Sequence, residues 1–520
     1  MRLTSDGNAT QTGAGGGLHA LSGAVRLTAP CARANAAPMF DIRPVGYVIG
    51  LLVATLGVTM LLPLGLDLVV GNGHWPVFAE SAIVTILVGG LVALASHNGV
   101  GQGLTIRQTF LLTTGVWAAL PFFGAIPFMI GATQASFTDA YFEAMSGLTT
   151  TGSTVFSGLD ALPEGLLLWR SLLQWLGGIG IIVVAMVFLP ELRVGGMQIF
   201  RSEAFDTMGK ILPRAAEIAS QITWIYLILT VITVVGYMAL GMSAFDAVNH
   251  ALTTISTGGF STHDASFGTF QGPPEYFASV VMLIASMPFV RYIQLVAGRA
   301  QPLMRDSQIR TYLLFVAVVS VMLALFQVFY DERPLEPSLR EALFNATSII
   351  SGTGYASVDY QEWGSFAMMV VFFAGLVGGC AGSTACSVKI FRYQLLFAAI
   401  IQQVKLLHSP RGMFPTRYEG RAVGPDVLSS VMSFFVLFTV SLGLLSVALA
   451  MTGLDFTTSV SGAATAIANI GPGLGETIGP SGNFAPLNTT AKWLLSAAML
   501  VGRLELLAVY ALFTVAFWRR

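Results

Sequence analysis

Four stretches of this 520-residue chain carry residue types suited to one kind of chemistry. They are Thr149-Thr150-Thr151-Gly152-Ser153, Ser256-Thr257-Gly258-Gly259-Phe260, Ser351-Gly352-Thr353-Gly354-Tyr355 and Ala468-Asn469-Ile470-Gly471-Pro472. Glycine reaches backbone angles closed to other residues and has no side chain to block the approach of other groups. Four such segments at one depth could turn their carbonyl oxygens inward, and a ring of carbonyls replaces the hydration shell of a monovalent cation. The candidate ligands are Thr150, Thr151 and Gly152, then Thr257, Gly258 and Gly259, then Gly352, Thr353 and Gly354, and last Asn469, Ile470 and Gly471.

The four stretches are copies of one unit. Eight residues before Gly152, Gly259, Gly354 and Gly471 stand Ala144, Ala251, Ala346 and Ala463, and six residues before them stand the hydroxyls of Ser146, Thr253, Ser348 and Thr465. Thirteen residues before, the first three copies have an acid followed by alanine (Asp139-Ala140, Asp246-Ala247, Glu341-Ala342), and the fourth has Thr458-Ser459. In the second copy Gly258 leaves the register open by one residue. The acid at the matching distance, and Phe260 matching Tyr355, favour Gly259. The copies are too far apart and too unevenly spaced for a solenoid of units of about 20 to 50 residues.

The elements that would position these stretches follow from composition. With 54% hydrophobic and only 10% charged residues, the chain is far from the roughly 25% charge of soluble domains. It reads as a polytopic membrane protein, each span needing about 20 apolar residues. Two apolar stretches, Pro44 to Val70 and Pro76 to Ser96, form an N-terminal hairpin without the repeat signature. Each repeat then reads as a long apolar helix, a half-polar helix too short to span, the glycine stretch, a loop and a second long helix. The short helices are expected at Phe137 to Leu148, Ala244 to Ile255, Ser338 to Ile350 and Phe456 to Ile467. The second helices are expected at Gly165 to Phe188, Tyr276 to Ala297, Trp363 to Ile400 and Ala491 to Phe517. The fold class is therefore all-α, with four pseudosymmetric helix, pore helix, helix repeats around one central pore, plus the hairpin. The divisions are 1–38 (a disordered tail), 39–103 (hairpin), 104–218, 219–307, 308–424 and 425–520 (repeats one to four). Short helices whose C-termini face the axis would each add about half a negative charge there.

Lysine and arginine set the orientation. They collect between the repeats, for example Arg193, Arg201, Lys210, Arg291, Arg305, Lys405 and Arg417, whereas the loops beside the short helices hold only Arg333 and Arg340. This predicts a cytoplasmic inter-repeat side, ten spans, both termini in the cytoplasm and the glycine stretches toward the outside.

Taken together, these motifs resemble the filter sequences of the TrkH/TrkG/KtrB potassium transporter superfamily, over about Arg43 to Arg520. The hairpin points to the TrkH branch. The resemblance implies potassium uptake across the cytoplasmic (inner) membrane, with the ion as cargo and no tightly bound cofactor. It also implies a homodimer and a cytosolic TrkA-like nucleotide-binding regulatory protein, with no nucleic-acid partner. Plant relatives that prefer sodium carry serine at the first filter glycine, so Gly152 implies potassium.

Two further features bear on gating. Gly375, Gly378, Gly379 and Gly382 precede Ser383-Thr384-Ala385-Cys386-Ser387 inside a span too long and too rich in glycine to be one straight helix. By resemblance this is the intramembrane gating loop, with Gly378, Gly379, Gly382, Ser383 and Thr384 in it. Arg503 lies in an apolar stretch, where a charge costs from about 2.5 to more than 10 kcal/mol and usually meets a cavity or partner. Glu505, two residues on, is poorly placed to pair with it. By resemblance Arg503 is a positive barrier beneath the filter.

Other features carry less. The three cysteines, Cys31, Cys380 and Cys386, have neither disulfide nor zinc spacing and read as packing residues. His250 and His263 have no second ligand at metal spacing, and no nucleophile, base or metal cluster indicates an enzyme. Two alternatives stay open: a proton- or sodium-coupled symporter of the same fold, and a non-transporting membrane scaffold or sensor whose glycines merely pack helices.

Overall fold

Within a bilayer an apolar chain can satisfy its own backbone only as a helix or a closed barrel, and this chain takes the helical solution. The structure, a computed structural model, describes residues 41–99, 104–185, 196 and 211–519. The N-terminal tail and the cations Arg193, Arg201 and Lys210 lie outside the described residues. Eight described helices are long and apolar enough to cross a membrane, and a ninth candidate is the bent pair Pro273–Ala285 and Phe289–Val296.

The hairpin comprises Arg43–Thr59, continued by Leu61–Val70, packed on Trp75–Ser96. Its crossing uses small residues reciprocally. A Cβ on Gly50 would stand 2.5 Å from the Ala93 nitrogen, and one on Gly89 would stand 2.5 Å from the Ala54 nitrogen. Such close backbone approach is how helices gain packing in lipid, where no hydrophobic force drives them together.

The outer helices of the four units are Ile106–Gly124 with Ile126–Ile130, Ile211–Ala239, Ser307–Tyr330 and Pro425–Ala450. The short helices are Phe137–Leu148, Ala244–Ile255, Leu335–Ser351 and Phe456–Ala468. Three begin at a side-chain cap: Ser136, Ser243 and Asp455 accept from the backbone N–H of Asp139, Asp246 and Thr458, satisfying amides the helix itself leaves orphaned. The third starts earlier than expected, at Leu335, because Pro334 and Leu335 open an additional turn. Within this helix Glu341 pairs with Arg333 at 3.0 Å.

The inner helices depart most from expectation. Only the first, Glu164–Val183, is unbroken. The second bends by 90° at Ser286 to Pro288, where Pro288 lacks the N–H that would continue the ladder. The third consists of Ser365–Gly375 and Ile390–His408, separated by irregular chain. The fourth stops at Arg503 and resumes as Leu507–Leu512 and Val515–Arg519, with Glu505 and Leu506 at positive φ. Arg503 therefore ends a helix and does not lie within a continuous span. A two-stranded ribbon, Arg417–Tyr418 with Arg421–Ala422, joins the third and fourth units.

Replacing Gly89 by leucine drives a side chain into the Ala54 backbone. The expected loss is about 1–3 kcal/mol, the range for overpacking, read as a lower melting temperature of the purified protein in detergent.

Candidate functional site

The C-terminal end of each short helix runs directly into its glycine stretch, and the four stretches meet in a closed cycle. A Cβ on Gly152 would stand 2.3 Å from the Gly258 carbonyl oxygen, and one on Gly471 would stand 2.9 Å from that of Thr151. Those on Gly259 and Gly354 would each stand 1.9 Å from the oxygens of Thr353 and Ile470. Each glycine thus abuts the carbonyl just before the glycine of the next unit, and the fourth returns to the first. Gly259 occupies the place of Gly152, Gly354 and Gly471, while Gly258 supplies the carbonyl.

Backbone conformation repeats with the cycle. Thr150, Thr257, Gly352 and Asn469 have φ of 50°, 50°, 75° and 51°, and the four glycines 87°, 76°, 81° and 114°. The residues between them (Thr151, Gly258, Thr353 and Ile470) keep ordinary negative φ. Their amides turn back into the preceding helix, donating to Ser146, Thr253, Ser348 and Thr465 carbonyls at 2.8–3.0 Å. With these N–H groups spent backwards, each of their carbonyls lies against the glycine of the neighbouring unit. Holding three non-glycine residues at positive φ is a cost the surrounding packing must offset.

That packing is polar and buried. Gln174 donates from Nε2 to the Gly258 carbonyl at 2.5 Å and accepts the Phe260 N–H at 3.0 Å. Asn469 donates to the Thr151 hydroxyl at 2.9 Å, and Ser153 donates to the Gly471 carbonyl at 2.7 Å, tying the fourth unit to the first. Behind the ring, Arg170 pairs with Glu143 at 2.8 Å with both side chains buried. Arg170 also donates to the Ser261 carbonyl at 2.8 Å and lies over the Phe260 ring. Lys492 meets Asp139 at 2.5 Å, Arg340 pairs with Glu275, and Gln361 accepts the Gly475 N–H at 2.7 Å. Every junction between successive units therefore carries a polar clamp. None of these partners is visible as a motif, because each joins residues far apart in the chain.

Above the ring lies a cavity of about 310 Å3 that all four glycines line. Its rim is tied by His263 and Asp160, whose hydrogen bond holds the Asp160 carboxyl below the usual carboxylate range. His250, beneath that rim, is satisfied by the Asp246 carbonyl at 2.9 Å and the Ser261 hydroxyl at 3.0 Å.

Below the ring lies the irregular chain between Gly375 and Ile390. Cys386 donates its N–H to the Ser351 carbonyl at 3.2 Å, and Ser387 to that of Ala468 at 2.9 Å. The Cys386 sulfur is 3.6 Å from the Thr150 hydroxyl, and a Cβ on Gly352 would lie 2.7 Å from the Cys386 Cβ. Cys386 is thus a contact residue under the ring, not simply a packing residue. Gly378 and Gly379 let the loop fold onto its own return limb and onto Ser286, and Gly382, at φ 71°, presents its carbonyl to the Phe289 N–H. The Ser383 hydroxyl closes onto the Cys380 carbonyl, and Thr384 bonds the Ala285 carbonyl at 2.9 Å. The bend in the second inner helix is therefore where the loop docks.

Arg503 is buried against this loop. Its Nη1 approaches the Cys386 sulfur at 2.9 Å and the Thr384 carbonyl at 3.4 Å, and no carboxylate pairs with it among the described residues. Glu505 pairs with Arg392 instead. A cavity of about 30 Å3 lies under the ring between Arg503, Cys386 and Asn469.

Losing Arg170 leaves Glu143 charged and alone in a dry site. Arg170→Ala is expected to cost about 3–5 kcal/mol in thermal unfolding, and the double change Arg170→Leu with Glu143→Leu to recover most of that loss.

The chain resembles known proteins over nearly all of its length. Residues 74–518 match the model of the TrkH family, described as a cation transport protein. The Trk system potassium uptake protein TrkI of Halomonas elongata is 41% identical over 479 residues, covering 92% of this chain and 97% of that protein. The Trk system potassium uptake protein TrkH of Escherichia coli is 34% identical over 485 residues, covering 92% and 99%. The crystal structure of the potassium transporter TrkH from Vibrio parahaemolyticus superposes with a TM-score of 0.85 at 32% identity, covering 92% of this chain and all of that one. By sequence and by fold, this chain belongs to the TrkH family of cation transport proteins.

Proposed function

We propose that this chain takes up potassium across the cytoplasmic membrane through the ring of Thr150 to Gly152, Thr257 to Gly259, Gly352 to Gly354 and Asn469 to Gly471. The observation that carries this reading is the closed cycle in which each glycine abuts the carbonyl of the next unit. An ion in the outer cavity exchanges water for carbonyl oxygens, helped by the negative ends of four short helices. The membrane potential then contributes about 2.3 kcal/mol per charge per 100 mV. The loop containing Gly378, Gly379, Gly382, Ser383 and Thr384, latched by Cys386 and Arg503, is the gate. Support for this role is its contact with Thr150 on one side and with the helix bend at Ser286 on the other.

The units divide as 39–103 for the hairpin and 104–218, 219–307, 308–424 and 425–520 for the four pore repeats. The basic connections between repeats support a cytoplasmic position for that side and for both termini. The family resemblance adds a homodimer and a TrkA-like cytosolic nucleotide-binding regulator acting on the gate.

The deciding experiment is rescue of growth at low external potassium in cells lacking their own uptake systems, with and without a candidate regulator. Rescue is expected, and its absence in well-expressed cells refutes the assignment. Gly152→Ser introduces a Cβ beside the Gly258 oxygen at a positive φ, so sodium should compete more strongly with rubidium in liposome flux. Unchanged competition would count against the ring as filter. Arg503→Ala removes the uncompensated charge below the ring and is expected to raise the basal flux several-fold, whereas wild-type flux would remove Arg503 from the gate.

A further inference from the structure

A second cavity, of about 360 Å3, lies between the hairpin and the first unit, within the roughly 300–1,000 Å3 of small-molecule sites. Its walls come from three of the membrane-spanning helices, Arg43–Val70, Ile106–Ile130 and Glu164–Val183. Apart from threonines, every lining residue is apolar or glycine. The hydroxyls of Thr55, Thr59 and Thr113 are already donated within their own helices, to Leu51, Leu56 and Thr109 carbonyls at 2.7–2.8 Å. The threonines therefore offer no spare donor to a headgroup, the Trp117 indole is the one other polar side-chain group in the lining, and water shuns apolar cavities of this kind. Leu52, 39% exposed, stands at the mouth on the apolar outer face of the hairpin, so the cavity is continuous with the surface that meets the bilayer.

We propose that this cavity binds one hydrocarbon tail of a bilayer phospholipid. The headgroup stays outside at the level set by the membrane, and recognition is of the acyl chain alone. The site abuts functional structure. Leu148, in its wall, immediately precedes Thr149, and Gly177 packs so closely on Leu148 that a Cβ there would stand 1.9 Å from its carbonyl oxygen. Trp117, in the opposite wall, has its ring 5.9 Å from the Arg503 guanidinium. A tail in the cavity thus packs against the foot of the first ring segment and behind the gate arginine. The inference does not depend on potassium conduction.

Trp117 also provides the test. The full-length protein is reconstituted in phospholipid brominated on its acyl chains, and tryptophan quenching is compared between wild type and Trp117→Phe to isolate the Trp117 contribution. That contribution is expected to be strongly quenched in the wild type. It should be relieved in Val183→Phe or in Val116→Phe, each of which fills the cavity from a different wall, with folding checked by a monodisperse elution profile. Relief in either well-folded variant supports the proposal. Absence of Trp117-dependent quenching in the wild type overturns it and points to a protein surface, such as a second copy of the chain, as the occupant. Quenching that persists unchanged in both filled variants overturns it as well, since surrounding lipid would then be the quencher.

Discussion

The structure depends on one constraint: peptide groups that leave the helix at membrane depth must find partners inside the protein. In the ring the amides satisfy it by turning back into the short helices. The carbonyl just before each glycine then lies against the glycine of the neighbouring unit. Glycine is required at the contact points because the neighbouring carbonyl occupies the space a Cβ would need. Close packing of the four stretches is thus a direct consequence of this geometry.

Carbonyl oxygens crowded into one ring repel one another, so something outside must hold them. The clamps at the four junctions do this with charged or amide side chains buried behind the ring. Buried pairs of this kind add little net stability compared with apolar packing, but they penalise any arrangement that separates them. Their value here is geometric. Arg170 spans Glu143, Thr154 and Ser261, and so binds the first unit to the second at the height of the ring.

Beneath the ring the molecule gives up helical regularity three times, at Ser286 to Pro288, between Gly375 and Ile390, and after Arg503. The breaks meet one another. The loop exchanges hydrogen bonds with the bend of the second inner helix and lies against the end of the fourth. Arg503 thereby contacts backbone carbonyl and sulfur where a straight helix would have carried it past. Its Nε and Nη2 have no hydrogen-bond partner among the described residues, an arrangement costly to keep in a closed, dry site.

Much of this was determined by the sequence alone. Apolar run length marked candidate spans, and the short helices were legible because they are half-polar, too short to span and end in the glycine stretch; the caps at Ser136, Ser243 and Asp455 came from the structure. The fourfold pattern of alanine, hydroxyl and glycine marked the four stretches, since each must meet the same steric demand. Local signals were weaker where context competes: the additional turn before Ser338, the bend at Pro288 and the break after Arg503 all sit in apolar runs that read as continuous helix. Only the tertiary structure decided which carbonyl faces which glycine, that Cys386 lies under Thr150, and that Glu143, Gln174 and Arg170 stand behind the ring. The physical reason is range. Helix length and caps depend on residues within a few positions, whereas ring closure and buried pairing depend on groups brought together from successive units far apart in the chain.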